Sequence, residues 1–318
     1  MAVPADTYQT YQQIGIREDL SDMIYDLSPT ETPVVSNIGK GKASATFVEW
    51  QTDVLDTAAH DPHIEGDDTA ATAATPTVRY GNYTQIAKKN PLVSGTSQRV
   101  DTAGRAEELS YQIAKAVKAV KNNIEATVCG GQGAAAGNAT TAREAAGLGV
   151  WLADNVVGSA TVAALAPGAP TTDRTPGAAA AFTEQDLKDA HVAAWENGGN
   201  PDMLVVGGFN KQVASTFTGI ATQYRDNPGK AQPVSIIGSA DIYVGEFGTI
   251  NIVPDHFTSN DSAYLIESDM FEVAYLRPME QKKLAKTGDN EKRQILCEFT
   301  LCAKNPVGSA QIGTLTTS

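Results

Sequence analysis

Residues 102–130, TAGRAEELSYQIAKAVKAVKNNIEATVCG, decide how the rest of the chain is read. Leu109, Ile113, Ala116, Val117, Val120, Ile124 and Val128 recur at spacings of three and four. That pattern predicts a helix of about 25 residues with a single apolar stripe. Lys115, Lys118 and Lys121 lie off the stripe, and Gly130 with Gly131 ends it. The stripe reads as a packing face in preference to a cofactor groove.

Downstream, residues 131–181 are dominated by Ala, Gly, Thr and Pro. Only GLGVWLADNVV, 147–157, has the apolar density to join a core. The remainder, including APGAPTTDRTPGAAAA at 166–181, reads as a surface excursion unable to order itself. A compact α/β segment follows. Thr183 caps a helix running to Asn197, with Leu187, His191, Ala194 and Trp195 along one side. DMLVVGG is a short buried strand and FNKQVASTFTG a second helix. ADIYVGEFGTINIVPDHF, 240–257, makes a hairpin about Phe247-Gly248-Thr249. SAYLIESDMFEVAYLRP, 262–278, supplies further strand, and KLAKTGDNEKRQILCEFTLCAKN, 283–305, closes a long hairpin with Lys282, Lys283, Lys286, Lys292 and Arg293 around its turn.

Upstream, ASATFVEWQTDVL, 43–55, pairs with TVRYGNYTQIAKKNPLVSG, 77–95, as a long ribbon. Val78, Tyr80, Asn82, Thr84 and Ile86 fall on one face and Arg79, Gly81, Tyr83 and Gln85 on the other. Neither face is cleanly apolar, and an isolated hairpin is marginal in water, so the ribbon calls for a partner surface. Its tip carries Asp56, Asp61, Glu65, Asp67 and Asp68 without a Lys or Arg. Residues 1–40 predict one short helix, about 17–27, after which Pro29 and Pro33 impose an extended path. Such an arm packs on something else.

The composition excludes several functions. With 24 Lys and Arg against 37 Asp and Glu the net charge is −13, the wrong sign for a protein that grips phosphates. A hydrophobic share of 42% is that of a folded chain. Cys129, Cys297 and Cys302 are too few and too scattered for a disulfide framework or zinc site, and read as buried, unreactive thiols. No secretory signal or membrane span is legible, which predicts a soluble protein made in the cytoplasm. His60, His63, Asp61, Glu65, Asp67 and Asp68 are ligand types, but they sit in a loop that does not fix them. VVGGFNK at 205–211 places two glycines between strand and helix, yet neither GxGxxG nor GxxxxGK[ST] occurs. No nucleophile motif is present. The chain does not read as an enzyme, and no catalytic, cofactor-binding or metal residue is assigned.

The order of parts, with the segments REDLSDMIYDLSPTETPVVSNIGKGKA, FVEWQTD, IYVGEFGTINIVPDHF, YLIESDMFEVAYLRP and LAKTGDNEKRQILCEFTLCAKNP, resembles the major capsid proteins of tailed phages. The resemblance implies an α+β chain of the Hong Kong ninety-seven-type fold: an N-arm at 1–42, an E-loop ribbon at 43–95, and a peripheral domain at 96–181 holding the spine helix and an insertion near 158–181. An axial domain at 182–262 and a peripheral return at 263–318 complete it. It further implies a structural subunit that forms hexamers and pentamers of an icosahedral head around double-stranded DNA, without specific DNA recognition, cofactor or membrane. Separate scaffold, portal and decoration proteins are the expected partners, and the virion the destination, after assembly in the host cytoplasm. An encapsulin-like compartment and a monomeric α/β enzyme are the rival readings. Candidate inter-subunit contacts are Glu18, Asp19 and Asp22 in the arm, Trp50, Tyr80 and Tyr83 in the ribbon, and Lys282, Lys283, Lys286 and Arg293 at the hairpin turn.

Overall fold

The computed structural model describes residues 28–55, 58–66, 68, 73–100, 102, 107–217 and 241–317. The helix expected at 17–27, with Glu18, Asp19 and Asp22, lies outside them. After a short helix α1 (Pro33–Asn37), the long helix is α2 (Glu108–Val128), and its stripe is buried as the spacing requires: Leu109, Ala116, Val120, Ile124 and Val128 all face the core. What covers it is a five-stranded sheet built on the long antiparallel hairpin β11 (Phe271–Lys283) and β12 (Asn290–Ala303). β1 (Gly39–Lys42) joins parallel to β11, while β4 (Gln85–Lys89) and β5 (Leu92–Ser94) pair with β12. Along β12 the side-chain period of two sends Ile295, Cys297, Phe299 and Leu301 into the core with α2. Cys302 faces the other side, against Ala43 and Ala274, so Cys297 and Cys302 lie on opposite faces of the strand.

A six-stranded sheet has the order β6 (Val156–Gly158), β13 (Ala310–Gly313), β10 (Ser262–Ile266), β7 (Met203–Val206), β9 (Thr249–Pro254), β8 (Ile242–Val244). Helix α4 (Glu184–Glu196) contributes Leu187, Ala190 and Ala194 to its core, and α5 (Gly208–Ala214) follows β7. Thr183 caps α4 in a reciprocal box, its Oγ1 accepting from Asp186 N at 3.2 Å while its own N–H donates to Asp186 Oδ2 at 2.9 Å. The β8–β9 hairpin turns where the glycine at 248 predicts. Between the sheets the chain crosses at Ser268–Met270, where Ser268 donates its N–H and Oγ to the Asp202 carboxylate at 2.7 and 2.8 Å.

Several expectations need correction. The stretch at 158–181 is not a free excursion but is pinned along its length by backbone hydrogen bonds. Pro33 does not extend the chain; it occupies the first turn of α1, where its missing N–H costs nothing. Segment 263–318 divides between sheets, since β13 and most of β10 sit in the six-stranded one. Thr84 is buried but Ile86 is 43% exposed, because the strand leaves the ribbon at Gln85 and joins β12 as β4. Trp195 is 54% exposed and stacks on Phe247, whereas His191 packs against the same ring from inside.

The three thiols are free and buried. Burial pushes Cys297 up to about 11, Cys302 up to about 12 and Cys129 well above its ordinary value. An aromatic disulfide reagent at pH 8 should therefore label none of them quickly in the native chain and all three once it is unfolded. Rapid labelling of the folded protein would contradict this packing.

Candidate assembly surfaces

The ribbon consists of β2 (Phe47–Thr52) and β3 (Val78–Tyr83), paired with Trp50 opposite Tyr80. Its base is bolted to the body. Trp151, at the end of the short helix α3 (Leu148–Trp151), is fully buried and receives Trp50 at 5.3 Å and Tyr80 edge-on at 6.2 Å between ring centroids. Desolvation there, with Asp154 nearby, raises the Tyr80 pKa. Tyr83 instead meets Phe47 at 4.7 Å between ring centroids, with the rings tilted by 40°. The three ribbon aromatics expected to meet a neighbour thus each spend a face inside their own chain.

Two polar groups lock the same base. Asn82 is wholly buried and its carboxamide is filled: Nδ2 donates to the carbonyls of Leu301 and Ala146 at 2.8 and 3.2 Å, and Oδ1 accepts from Ala146 N and Tyr83 N at 3.0 and 2.9 Å. Glu298 on β12 is 3% exposed. It accepts from Arg277 Nε at 2.8 Å, Thr84 Oγ1 at 2.9 Å and Arg143 at 2.5 Å, tying β11, the foot of the ribbon and the loop after α2 to one carboxylate. Neither role is legible in sequence, because the partners that brace the ribbon, Leu301 for Asn82 and Thr84 and Arg143 for Glu298, lie 155 to 219 positions away.

Glu125 was missed too, although its place on α2 is beside the stripe. It is fully buried, and its two oxygens accept from Val34 N at 2.6 Å and Val35 N at 2.9 Å. Thr32, at the N-cap of α1, makes no side-chain cap bond, so this remote carboxylate satisfies the orphan donors of the arm's helix. Burial raises Glu125 from 4.5 to about 7 despite those two hydrogen bonds, and Asp255 adds to the rise. Asp255 and Cys129 lie beside it, and among the described residues these three are the one set of acidic and thiol groups close enough to share a metal ion. Both Glu125 oxygens are already engaged by the arm, Asp255 Oδ2 accepts twice from Thr258, and the thiol is held protonated by its burial. The set works as an interior hydrogen-bonded joint.

The outer surfaces differ in kind. Beyond Thr52 the ribbon exposes Val54 (79%), Leu55 (94%) and Ile64 (81%). In the acidic loop His63 and Asp61 approach to 3.2 Å, both exposed, and among the described residues no third ligand type joins them. At the hairpin turn the cations are largely answered locally: Lys282 by Glu280 at 2.7 Å, Lys286 and Arg293 by Glu291 at 3.4 and 3.9 Å, and Lys292 by the Thr287 hydroxyl at 2.6 Å. Lys283 is exposed at the end of β11. No helix of the described residues is long and apolar enough to cross a membrane.

A ribbon braced at its base with Val54, Leu55 and Ile64 exposed beyond its paired strands, an arm helix latched to the long helix α2, and two sheets between which the chain passes more than once make the framework of a capsid subunit of the Hong Kong ninety-seven type. The model of the SU10 major capsid protein family matches residues 3–316, and the chain belongs to that family. It is 27% identical over 350 residues to the major capsid protein of Escherichia phage Phieco32, covering 96% of each chain. Among solved structures it is similar to the Cyanophage A-1(L) capsid asymmetric unit, with TM-score 0.65, 12% identity, and 98% and 99% of the two chains covered. A Gordonia phage Cozz structure gives TM-score 0.61 at 11% identity, over 99% and 98% of the chains. The protein is thus a structural major capsid protein of a phage head, and the expected fold class stands.

Proposed function

We propose that this chain builds the head shell by laying its ribbon over a neighbouring copy, with hexamers and pentamers as the building units of an icosahedral container for double-stranded DNA. The observation that carries this reading is the contrast along the ribbon: its base is cross-braced by Trp151, Asn82 and Glu298, while Val54, Leu55 and Ile64 stand in solvent at its far end. Apolar side chains held out on a stiff support suit burial in another subunit. The family match favours a phage head over an enzyme-holding compartment and over a monomeric enzyme. The enclosed DNA needs no specific site, which agrees with a net charge of −13. Scaffold, portal and decoration proteins are separate partners on this reading, and assembly takes place in the host cytoplasm before the shell becomes part of the virion.

For the hairpin turn, Lys282, Lys286 and Arg293 already have partners in their own strands, and exposed pairs contribute little. Their role, with Lys283, is to steer an acidic surface of a neighbour, such as the ribbon loop or the arm's Glu18, Asp19 and Asp22, more than to hold it.

The test replaces residues 53–77 by an Asn-Gly turn between Thr52 and Val78, which are paired. The shortened chain should melt with the full one but fail to close shells by negative-stain microscopy when co-expressed with its scaffold. Normal shells from it would overturn the ribbon's role. A full chain that stays monomeric under the same conditions would overturn the shell reading itself.

A further inference from the structure

The stretch at 158–181, poor in apolar residues, makes one contact that its composition does not explain. Gly168 lies against the outer edge of the ribbon: Gly81 N donates to the Gly168 carbonyl at 3.0 Å, and Gly168 N donates to the Arg79 carbonyl at 2.9 Å. The two bonds flank Tyr80 and form a parallel bridge on the side of β3 that faces away from β2. The rest of the stretch runs inward. Leu165 and Ala169 pack on the main core. Thr161 and Thr175 exchange two backbone hydrogen bonds of 2.9 Å, closing a neck behind the tongue that carries Gly168. Past the neck, Gly177 N donates to Thr314 Oγ1 at 2.8 Å and Ala180 N to the Thr314 carbonyl at 2.9 Å, zipping the root to the end of β13.

At the neck, Arg174 is an anchor. Its side chain is 5% exposed and pairs with Asp261 at 3.4 Å, next to β10. Its backbone N–H donates to Gly131 at 2.9 Å, and the preceding Asp173 accepts from Gly133 N at 2.8 Å. One short segment therefore joins the ribbon, the turn after α2 and the six-stranded sheet.

We propose that residues 158–181 are a strap that sets the angle at which the ribbon leaves the body. The bolts already described, Trp151 and Asn82, hold one face of the ribbon's base, Trp151 touching both Trp50 on β2 and Tyr80 on β3. The strap adds a separate attachment, along the edge of β3 opposite β2, that resists tilting of the ribbon on that base. Gly168 is suited to the role, since it sits at φ +100°, where a residue with a side chain is strained, although the space around it is open. Gly81 is required by the ribbon itself, for a Cβ there would meet the Phe47 ring and the Val48 carbonyl of β2. The consequence for shell building rests on the function proposed above; the strap itself is a property of one chain and is tested on one chain.

The experiment is residue-resolved hydrogen exchange on the full-length unassembled subunit. Because the Gly81 N–H points to the strap, that of Tyr80 points to β2, giving a reporter and a control side by side. Two variants serve: Gly168→Pro, which removes the N–H and forbids a positive φ, and replacement of residues 163–172 by Gly-Ser-Gly, which keeps Asp173 and Arg174. In both, Gly81 should exchange at least roughly tenfold faster while Tyr80 keeps its protection. Unchanged Gly81 protection in folded variants would overturn the strap. So would equal loss at Gly81 and Tyr80, which would make the stretch a general support of the fold. Should the replacement not fold, Gly168→Pro alone decides between these outcomes. None of these readouts involves shell closure, so failure of the strap and failure of the shell reading remain separable.

Discussion

Trp151→Ala should lower the unfolding free energy of the unassembled subunit by about 3–5 kcal/mol, the range for truncating a large buried aromatic. On a chain of this size that is a fall in Tm of roughly 5–7 °C. Trp151 is fully buried and sits where α3, β3 and the main core meet. Its loss removes the platform for Trp50 and Tyr80, ring pairs that each contribute about 0.5–1.5 kcal/mol beyond their area. A loss of stability alone would follow from any core truncation, so a second readout is needed. The chain has three tryptophans, and Trp195 stands on the far helix α4. In the variant, Trp50 should emit further to the red as its indole becomes wetter, and Trp151→Phe should restore both the emission and most of the stability. A destabilised variant whose Trp50 emission is unmoved would mean that Trp151 supports the core but not the ribbon.

The parts visible in sequence are those where one local pattern suffices. The stripe on α2, the Thr183 N-cap and the hairpin about Gly248 each follow from residues a few positions apart, and each is found as read. The bracing was hidden for the opposite reason. Asn82 bonds to Leu301 across 219 positions and Glu298 to Arg143 across 155. Nothing in the neighbourhood of either residue signals a partner that far away. Apolar content is a poor measure of order in the 158–181 stretch, whose order comes from backbone pairing and one buried Arg174, which need no apolar residues. Trp50, Tyr80 and Tyr83 look like contacts for another chain because β2 and β3 lack an apolar face, yet the ring that meets Trp50 and Tyr80 lies in a four-residue helix.

Glu125 offers the larger pH effect, and its sign can be worked out. The unfolded carboxyl titrates near 4.5 and the folded one at about 7, raised first by burial and further by Asp255, against the pull of the Val35 and Val34 N–H groups. Between those values the folded chain holds a proton that the unfolded chain has released. Stability therefore falls as pH rises through this window and levels off above it. At about 1.4 kcal/mol per unit the loss from pH 4.5 to 7 comes to roughly 3 kcal/mol. The other titratable groups facing this joint are Asp255, Cys129 and, from β11, Tyr275; the thiol and the phenol are both raised by burial and stay protonated in this range. Glu125→Gln should flatten most of the slope in denaturant melts from pH 5 to 8. It should be less stable than the parent at pH 5, because its amide NH2 meets an N–H donor of α1, and at least as stable at pH 8, where the parent has an ionised group in the core. Parallel curves for the two proteins would show that Glu125 is not the titrating group. Because its oxygens hold Val34 and Val35, those two amides should exchange faster in Glu125→Ala at every pH. The arm's attachment and the pH slope would then trace to one carboxylate.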